Sequence, residues 1–129
     1  MFSDRGGRYL QSLQRQAAHA HSHCQFLAER MRLLAGWIGA GDMGLWERAQ
    51  HLRRFFEDVE EHYRRVARAA ERPPPDDRRA RRSQRRELQA TVDEMRRKVD
   101  ELDRMILGLE VEHRLQAGAS GQHPPEADS

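Results

Sequence analysis

The chain has 129 residues, with 23 basic and 21 acidic side chains, a formal net charge of +2 and 37% hydrophobic residues. This length fits one compact domain. No apolar run approaches the roughly 18–20 residues that a membrane span needs, and Cys24, the only cysteine, excludes an internal disulfide. Because the first ten residues lack the apolar stretch of a signal peptide, we expect a soluble protein of the reducing cytoplasm.

Arginine dominates the basic residues, since Lys98 is the only lysine. We interpret this bias as the composition of a bacterial protein from a GC-rich genome. The sequence contains no Gly-rich phosphate loop, no CxxC pair and no arguable Ser-His-Asp arrangement, which are the motifs that would indicate particular chemistries. These observations favour a protein that binds over one that catalyses.

Glycine and proline clusters divide the chain into three segments. The clusters lie at Gly6-Gly7, at 39–42, at 73–77 and at Gly118, and such clusters interrupt regular structure. We therefore predict one helical domain over 1–116, with helices at about 8–38, 43–71 and 77–116, of which the third is the longest. Residues 117–129 have no core-forming pattern and are expected to be disordered.

Apolar or small residues recur in each segment at alternating spacings of three and four. The stripes are Leu10, Leu13, Ala17, Ala20, Cys24, Leu27, Met31, Leu34 and Ile38 in the first segment; Leu45, Ala49, Leu52, Phe56, Val59, Tyr63, Val66 and Ala70 in the second; and Leu88, Val92, Met95, Val99, Leu102, Ile106 and Leu109 in the third. A sustained seven-residue repeat is typical of helices that pack side by side at a small angle.

The gaps between the segments favour neighbouring helices that run in opposite directions, because they are short and polar. Asp42 and either Asp76 or Asp77 lie where helix N-caps belong. Trp37 and Trp46 bracket the first gap, where they are expected to cover the end of the bundle. The sequence thus predicts an all-α, antiparallel up-down-up three-helix bundle with heptad, coiled-coil-like packing.

The third predicted helix is roughly 60 Å long against roughly 45 Å for the other two, at a rise of 1.5 Å per residue. If the second turn centres on Pro74 and Pro75, residues beyond about 106 extend past the end of the second helix. The candidate partner-binding residues in this overhang are Leu109, Val111 and Leu115. We expect contact there with a protein partner or self-association, and fraying of this end is the alternative.

Arginines concentrate at the start of the third predicted helix. The candidate partner-binding residues there are Arg78, Arg79, Arg81, Arg82, Arg85 and Arg86. Guanidinium groups contact phosphates, so this segment predicts nucleic-acid binding without sequence discrimination as a third function. The alternative is a solvated helix start, because Asp76, Asp77 and Glu87 flank the segment.

Histidine, cysteine and carboxylate side chains fall at similar heights along the bundle axis when the chain is folded back at the two predicted turns. Folding about residues 41–42 pairs His21 with His62, and folding about 75 brings Glu87 to the same level. The candidate metal site consists of His21 or His23, Cys24, His62, Asp58 or Glu61, and Glu87. Imidazole, thiolate and carboxylate groups suit Zn or Fe. The alternative is that these residues are solvated at the rim of the apolar stripe.

Short motifs between Ala17 and Glu71 carry a resemblance to a known family. They are Cys24-x-x-Leu27, the Gly41-Asp42 break, an alanine-bearing start of the second helix, and Arg54-Phe55-Phe56-Glu57 followed by His62-Tyr63. This stretch resembles the first two helices of bacterial hemerythrin-like proteins. The resemblance implies a four-helix bundle whose His and carboxylate side chains hold a di-iron centre, including a His-x-x-x-Glu on the second helix.

The chain departs from that pattern at two points. Val66 stands four residues after His62, and no histidine occurs between Arg64 and Glu112. The resemblance therefore implies a bundle whose iron site has been lost. We predict a non-catalytic binding protein, acting as an adaptor, accessory subunit or scaffold and holding no cofactor, with a hemerythrin-like metal- or oxygen-binding bundle as the alternative.

Overall fold

The computed structural model describes residues 2–38 and 43–121. They form three helices, α1 (Phe2–Ile38), α2 (Met43–Glu71) and α3 (Arg78–Gly121), and each helix packs against the other two. No strand occurs within these two ranges. The prediction of an all-α three-helix bundle is confirmed, and α3 is the longest of its helices.

Two helices extend further than the glycine clusters predict. α1 begins at Phe2 instead of near residue 8, and α3 continues to Gly121, so 117–121 are helical instead of disordered. A glycine costs a helix about 1 kcal/mol relative to alanine, which a long helix with a packed apolar stripe tolerates. The remainder of the predicted tail, 122–129, lies outside the described residues.

The core consists of the predicted stripes. The buried apolar side chains are Leu13, Ala17, Ala20, Cys24, Leu27, Met31 and Leu34 of α1, Leu52, Val59 and Val66 of α2, and Leu88, Val92, Met95, Val99, Leu102, Ile106 and Leu109 of α3. Phe55, Phe56 and Tyr63 pack half-buried against them. Every one of these buried apolar residues belongs to a predicted stripe, whereas the side chains of Ile38 and Leu45 lie outside the described residues.

Contacts between α1 and α3 keep a constant offset in residue number. Hydrogen bonds and ion pairs join Tyr9 to Gln89, Gln16 to Arg96, His23 to Asp103 and Arg30 to Glu110, each pair 80 positions apart. Contacts between α2 and α3 change in the opposite sense, because Asp58 meets Lys98 whereas the earlier residue Arg48 meets the later residue Glu112. The three helices are therefore held in one register along the bundle.

The observed register corrects the predicted overhang of the third helix. A hairpin centred at 75 would bring Asp58 level with about residue 92, but Asp58 contacts Lys98, a shift of roughly 9 Å along the helix at 1.5 Å per residue. In this register Glu71, the last residue of α2, is level with about residue 85, so the first two turns of α3 extend past the end of α2. As a result, Glu110 and Glu112 lie alongside α1 and α2 instead of past their ends.

The second turn ends at an N-cap. The Asp77 Oδ2 atom accepts a hydrogen bond of 3.3 Å from the backbone N–H of Ala80, and the Asp77 carbonyl accepts one of 3.0 Å from the N–H of Arg81. This geometry satisfies donors that the first turn of a helix leaves without partners. Of the two predicted candidates, Asp77 is the cap, and the predicted cap Asp42 lies outside the described residues.

None of the helices that the structure describes combines the length and the apolarity needed to span a membrane.

Candidate binding surfaces

His21 and Cys24 lie where α1 meets α2. The Nε2 atom of His21 is 2.8 Å from Oε1 of Glu60, and its ring stacks on Tyr63 with 4.0 Å between the ring centroids. Burial, reinforced by the negative charge of Glu60, raises the pKa of the Cys24 thiol to about 11. A thiol that stays neutral is a poor nucleophile and a poor metal ligand. These side chains form a packed contact between two helices.

The other candidate metal ligands make separate contacts. The Nε2 atom of His23 is 3.6 Å from Asp103 on α3. The Asp58 carboxylate accepts a hydrogen bond of 2.9 Å from Lys98, which lowers the pKa of that carboxyl group. The Nδ1 atom of His62 lies 2.6 Å from the carbonyl oxygen of Asp58, on its own helix. Each of these side chains is occupied by a different neighbour.

The structure does not bring the predicted metal ligands together. His21 contacts α2, whereas Asp58 contacts α3, and Glu87 is exposed at the start of α3. Within residues 2–38 and 43–121, no three His, Cys, Asp or Glu side chains are arranged to hold a metal ion. The shifted register of α3 contributes to this separation, because it places Lys98 beside Asp58 where the predicted register would have placed about residue 92.

Arg30 ties α1 to two successive positions of α3. Its guanidinium group donates hydrogen bonds of 2.5 and 3.2 Å to the two carboxylate oxygens of Glu110 and one of 3.1 Å to Asp103. The bonds to Glu110 above all, together with those to Asp103, raise the pKa of Arg30. Glu110 is only 18% exposed. Arg30 thus fixes which residues of the two helices flank the line of contact between them.

Large apolar side chains lie exposed on both sides of this line. On α1, Phe26, Leu33 and Trp37 are 62%, 52% and 65% exposed; on α3, Leu107 and Val111 are 51% and 42% exposed. Residues three or four apart share a helix face, so Phe26 and Leu33 flank Arg30, and Leu107 lies between its partners Asp103 and Glu110. We call these five apolar residues the α1–α3 face.

The three residues predicted to bind a partner in the overhang differ in their exposure to solvent. Leu109 is 5% exposed and belongs to the core, so it is not part of an exposed surface as the overhang predicted. Val111 and Leu115, at 42% and 69%, are exposed as expected. Phe26, Leu33 and Leu107 were missed, although each is an apolar residue that falls outside the stripe of its helix.

A cleft continues the α1–α3 face toward the middle of the bundle. Its volume is about 520 Å³. It is lined by Arg15, Gln16, His19, Ala20 and His23 of α1 and by Arg96, Val99 and Asp100 of α3. The buried Ala20 and Val99 form its apolar floor, and the small alanine side chain opens the space above it. The cleft carries two arginines and two histidines against one carboxylate.

The end of the bundle where α1 finishes and α2 begins exposes aromatic rings. Trp37 stacks on His113 with 6.3 Å between ring centroids. Arg48 donates hydrogen bonds of 2.8 and 2.6 Å to the two oxygens of Glu112, which lower the pKa of that carboxyl group. Trp37 and Trp46 are 65% and 50% exposed. They were predicted to cover this end of the bundle, but much of each side chain is open to solvent.

The opposite end concentrates positive charge. Between residues 64 and 87 there are ten arginines and four carboxylates, an excess of six positive charges in a chain whose net charge is +2. The ten, which we call the arginine end, are Arg64, Arg65, Arg68, Arg72, Arg78, Arg79, Arg81, Arg82, Arg85 and Arg86, and all are exposed. The six predicted from sequence are among them. The Arg85 guanidinium lies 5.4 Å from the ring centroid of Tyr9, which places the first turns of α1 beside this end.

Comparison of the chain with protein-family models, with curated proteins and with solved structures finds no match. The hemerythrin-like relationship stays a prediction.

Proposed function

We propose that this chain is a non-catalytic helical-bundle binding protein, an adaptor, accessory subunit or scaffold, that holds a helix of a partner protein on its α1–α3 face. The observation that carries the proposal is the set of five exposed apolar side chains on both sides of one helix–helix contact. Such side chains together expose an area on the order of a few hundred Å², the size that marks protein–protein contact sites.

The shape of the surface favours a helical partner. The α1–α3 face and the adjoining cleft follow the same pair of helices from Arg15 to Trp37, a distance of roughly 33 Å at 1.5 Å per residue. A groove between two helices accepts an amphipathic helix whose apolar side chains occupy it. A partner helix of about 22 residues would cover the whole length.

The charges of the cleft determine the chemistry of that helix. Arg15 and Arg96 line the cleft, and neither has a carboxylate partner among the described residues. Asp100 is the one carboxylate in the lining. We therefore assign to the partner helix an apolar half, which covers Trp37 and Leu107, and a half with acidic side chains, which pair with Arg15 and Arg96.

We also infer the direction of the helices, because the proposed groove depends on it. The constant offset of 80 positions between Tyr9 and Gln89 and between Arg30 and Glu110 supports α1 and α3 running in the same direction. The opposing order of the contacts Asp58–Lys98 and Arg48–Glu112 supports α2 running against them. An up-down-up bundle with heptad packing accounts for both patterns and for the alternating spacing of the buried residues.

Site-specific photo-crosslinking in cells tests the proposal. A photoreactive amino acid at Leu33, on the α1–α3 face, is compared with the same amino acid at Arg53, an exposed position of α2. We expect a crosslink from position 33 alone, mapped by mass spectrometry to an amphipathic helix with acidic residues. Trp37→Ala should lower its yield by at least about tenfold, as for the loss of a large aromatic contact that carries binding energy.

Trp46→Ala is the matched control, because Trp46 is an exposed tryptophan on α2. It should leave the yield unchanged. Equal losses in Trp37→Ala and Trp46→Ala, or a mapped segment without acidic residues, would overturn the assignment of the α1–α3 face. A crosslink only to a second copy of this chain would replace the proposed partner by self-association.

A further inference from the structure

We propose that the arginine end binds duplex nucleic acid through its phosphate backbone, without reading the base sequence. This inference is independent of the α1–α3 face, since the arginine end lies on α2, on the second turn and on the first turns of α3. The two surfaces together would make the chain a link between a nucleic acid and a partner protein.

The charge distribution gives the first argument. Residues 64–87 carry an excess of six positive charges, so the rest of the chain carries a net charge of −4 at a whole-chain charge of +2. Three of these four negative charges belong to Asp42, Glu126 and Asp128, outside the described residues, so the described bundle has one strongly positive end and a nearly neutral remainder. Such a distribution attracts a polyanion to one end and orients the molecule against it.

The absence of ionic partners gives the second argument. Of the ten arginines, only Arg64 forms an ion pair within the described ranges, with Glu61 at 3.9 Å. Elsewhere on the surface, several exposed arginines are paired with acidic side chains one turn away, as Arg97 is with Glu94 and Arg104 with Glu101, so unpaired arginines are concentrated at this end without being confined to it. Guanidinium groups without carboxylates present their donors to phosphate oxygens, which they can contact in a bidentate manner.

The spacing on α3 suits a run of phosphates. Arg78, Arg82 and Arg85 recur at intervals of four and three residues, and Arg79 and Arg86 are seven apart, so all five lie along successive turns of one helix. The helix rises roughly 12 Å from residue 78 to residue 86. Duplex DNA carries one negative charge per about 1.7 Å of its axis, so several phosphates lie within reach.

The composition of this end favours a duplex over other polyanions. Tyr9, at 36%, is the only large apolar or aromatic side chain there that is exposed among the described residues, and it is engaged by Gln89 and Arg85. Insertion into a lipid surface needs exposed apolar residues, and a tight protein interface needs a desolvated apolar centre. Binding of single strands uses aromatic platforms. Binding to a phosphate backbone requires only positively charged side chains such as these arginines.

Fluorescence anisotropy with the full chain and a 20-base-pair labelled duplex tests the proposal. If about five phosphates are neutralised, the slope of log K against log[salt] is about −4.5, and affinity falls roughly 500-fold from 50 to 200 mM salt. The triple variant Arg78→Gln, Arg82→Gln, Arg85→Gln should reduce the magnitude of the slope by about three. A second duplex of unrelated sequence should bind equally.

The double variant Arg97→Gln, Arg104→Gln is the matched control, because both residues are exposed and ion-paired on the middle of α3. It should bind the duplex like the wild type, and circular dichroism checks that both variants are helical. The proposal is overturned if the wild type does not bind the duplex at 50 mM salt, if the triple variant keeps the wild-type slope, or if vesicles containing anionic lipid are bound in preference to the duplex.

Discussion

The two ends of the bundle use arginine in opposite ways. Near the aromatic end, which we define by Trp37, Trp46 and His113, Arg30 and Arg48 are paired with carboxylates of α3 and the exposed surface is apolar. At the arginine end, the arginines are exposed and only Arg64 has an ionic partner among the described residues.

This difference shows how a chain of small net charge can present two distinct surfaces. The carboxylates of α3 lie mainly in its middle and later turns, where they neutralise arginines from α1 and α2. Its first turns carry arginines instead. Ion pairs neutralise arginines near the aromatic end, whereas few arginines are neutralised at the arginine end. The first end therefore presents mainly apolar side chains to its surroundings, and the second presents mainly positive charge.

The largest expected change in the free energy of unfolding distinguishes a buried leucine from an exposed one near the aromatic end. Leu109→Ala should destabilise the protein by about 3 kcal/mol, because it removes buried methyl groups and leaves a cavity. Leu107→Ala, two positions earlier and 51% exposed, should change the free energy of unfolding by less than about 0.5 kcal/mol. Urea denaturation of both variants measures the contrast, and similar losses would contradict the distinction between core and α1–α3 face.

A smaller effect is expected from breaking the paired arginine. Arg30→Gln should destabilise the protein by roughly 1–2 kcal/mol, because Glu110, which is 18% exposed, loses its charged hydrogen-bond donors. The control is Arg32→Gln, which removes an arginine 74% exposed and paired with Glu29 on its own helix, and which should cost no more than about 0.5 kcal/mol. Equal losses would mean that Arg30 does not fix the contact between α1 and α3.

At the arginine end, removing the N-cap and removing a positive charge should change the stability of the protein in opposite directions. Asp77→Ala should destabilise the protein by about 1 kcal/mol, since the N-cap hydrogen bond to Ala80 is lost. Arg79→Gln should stabilise it by about 0.3–1 kcal/mol, because a positive charge in the first turn opposes the helix dipole. A loss of stability in Arg79→Gln would indicate that the cations support the fold, contrary to a role reserved for binding.

The smallest effect at neutral pH concerns the middle of the bundle, between the two ends. Burial raises the pKa of Cys24 from 9.0 to about 11, so the unfolded chain releases the thiol proton first as the pH rises. The contribution of this thiol to the free energy of unfolding should be constant below pH 9 and should fall between pH 9 and 11. The wild type should lose stability relative to Cys24→Ala over that range, as measured by denaturation at pH 7 and 10.5. A constant difference would mean that Cys24 is accessible to solvent.

The sequence determined the local structure of this protein. All the buried apolar residues come from stripes that follow the helical period, and the second turn and its cap at Asp77 follow from proline and aspartate chemistry. These features depend on neighbours along the chain, which a sequence displays directly.

The tertiary structure decided the level at which the helices pass one another. The stripe already separates Leu109, which is buried, from Leu107, which is exposed, but only the contacts of Arg30 with Asp103 and Glu110, on either side of Leu107, show that Leu107 lies beside α1. The same register placed Lys98 beside Asp58 and kept the candidate metal ligands apart. A seven-residue repeat looks alike at every level of a helix, so the register is set by particular pairs distant in sequence and by the geometry of the turn.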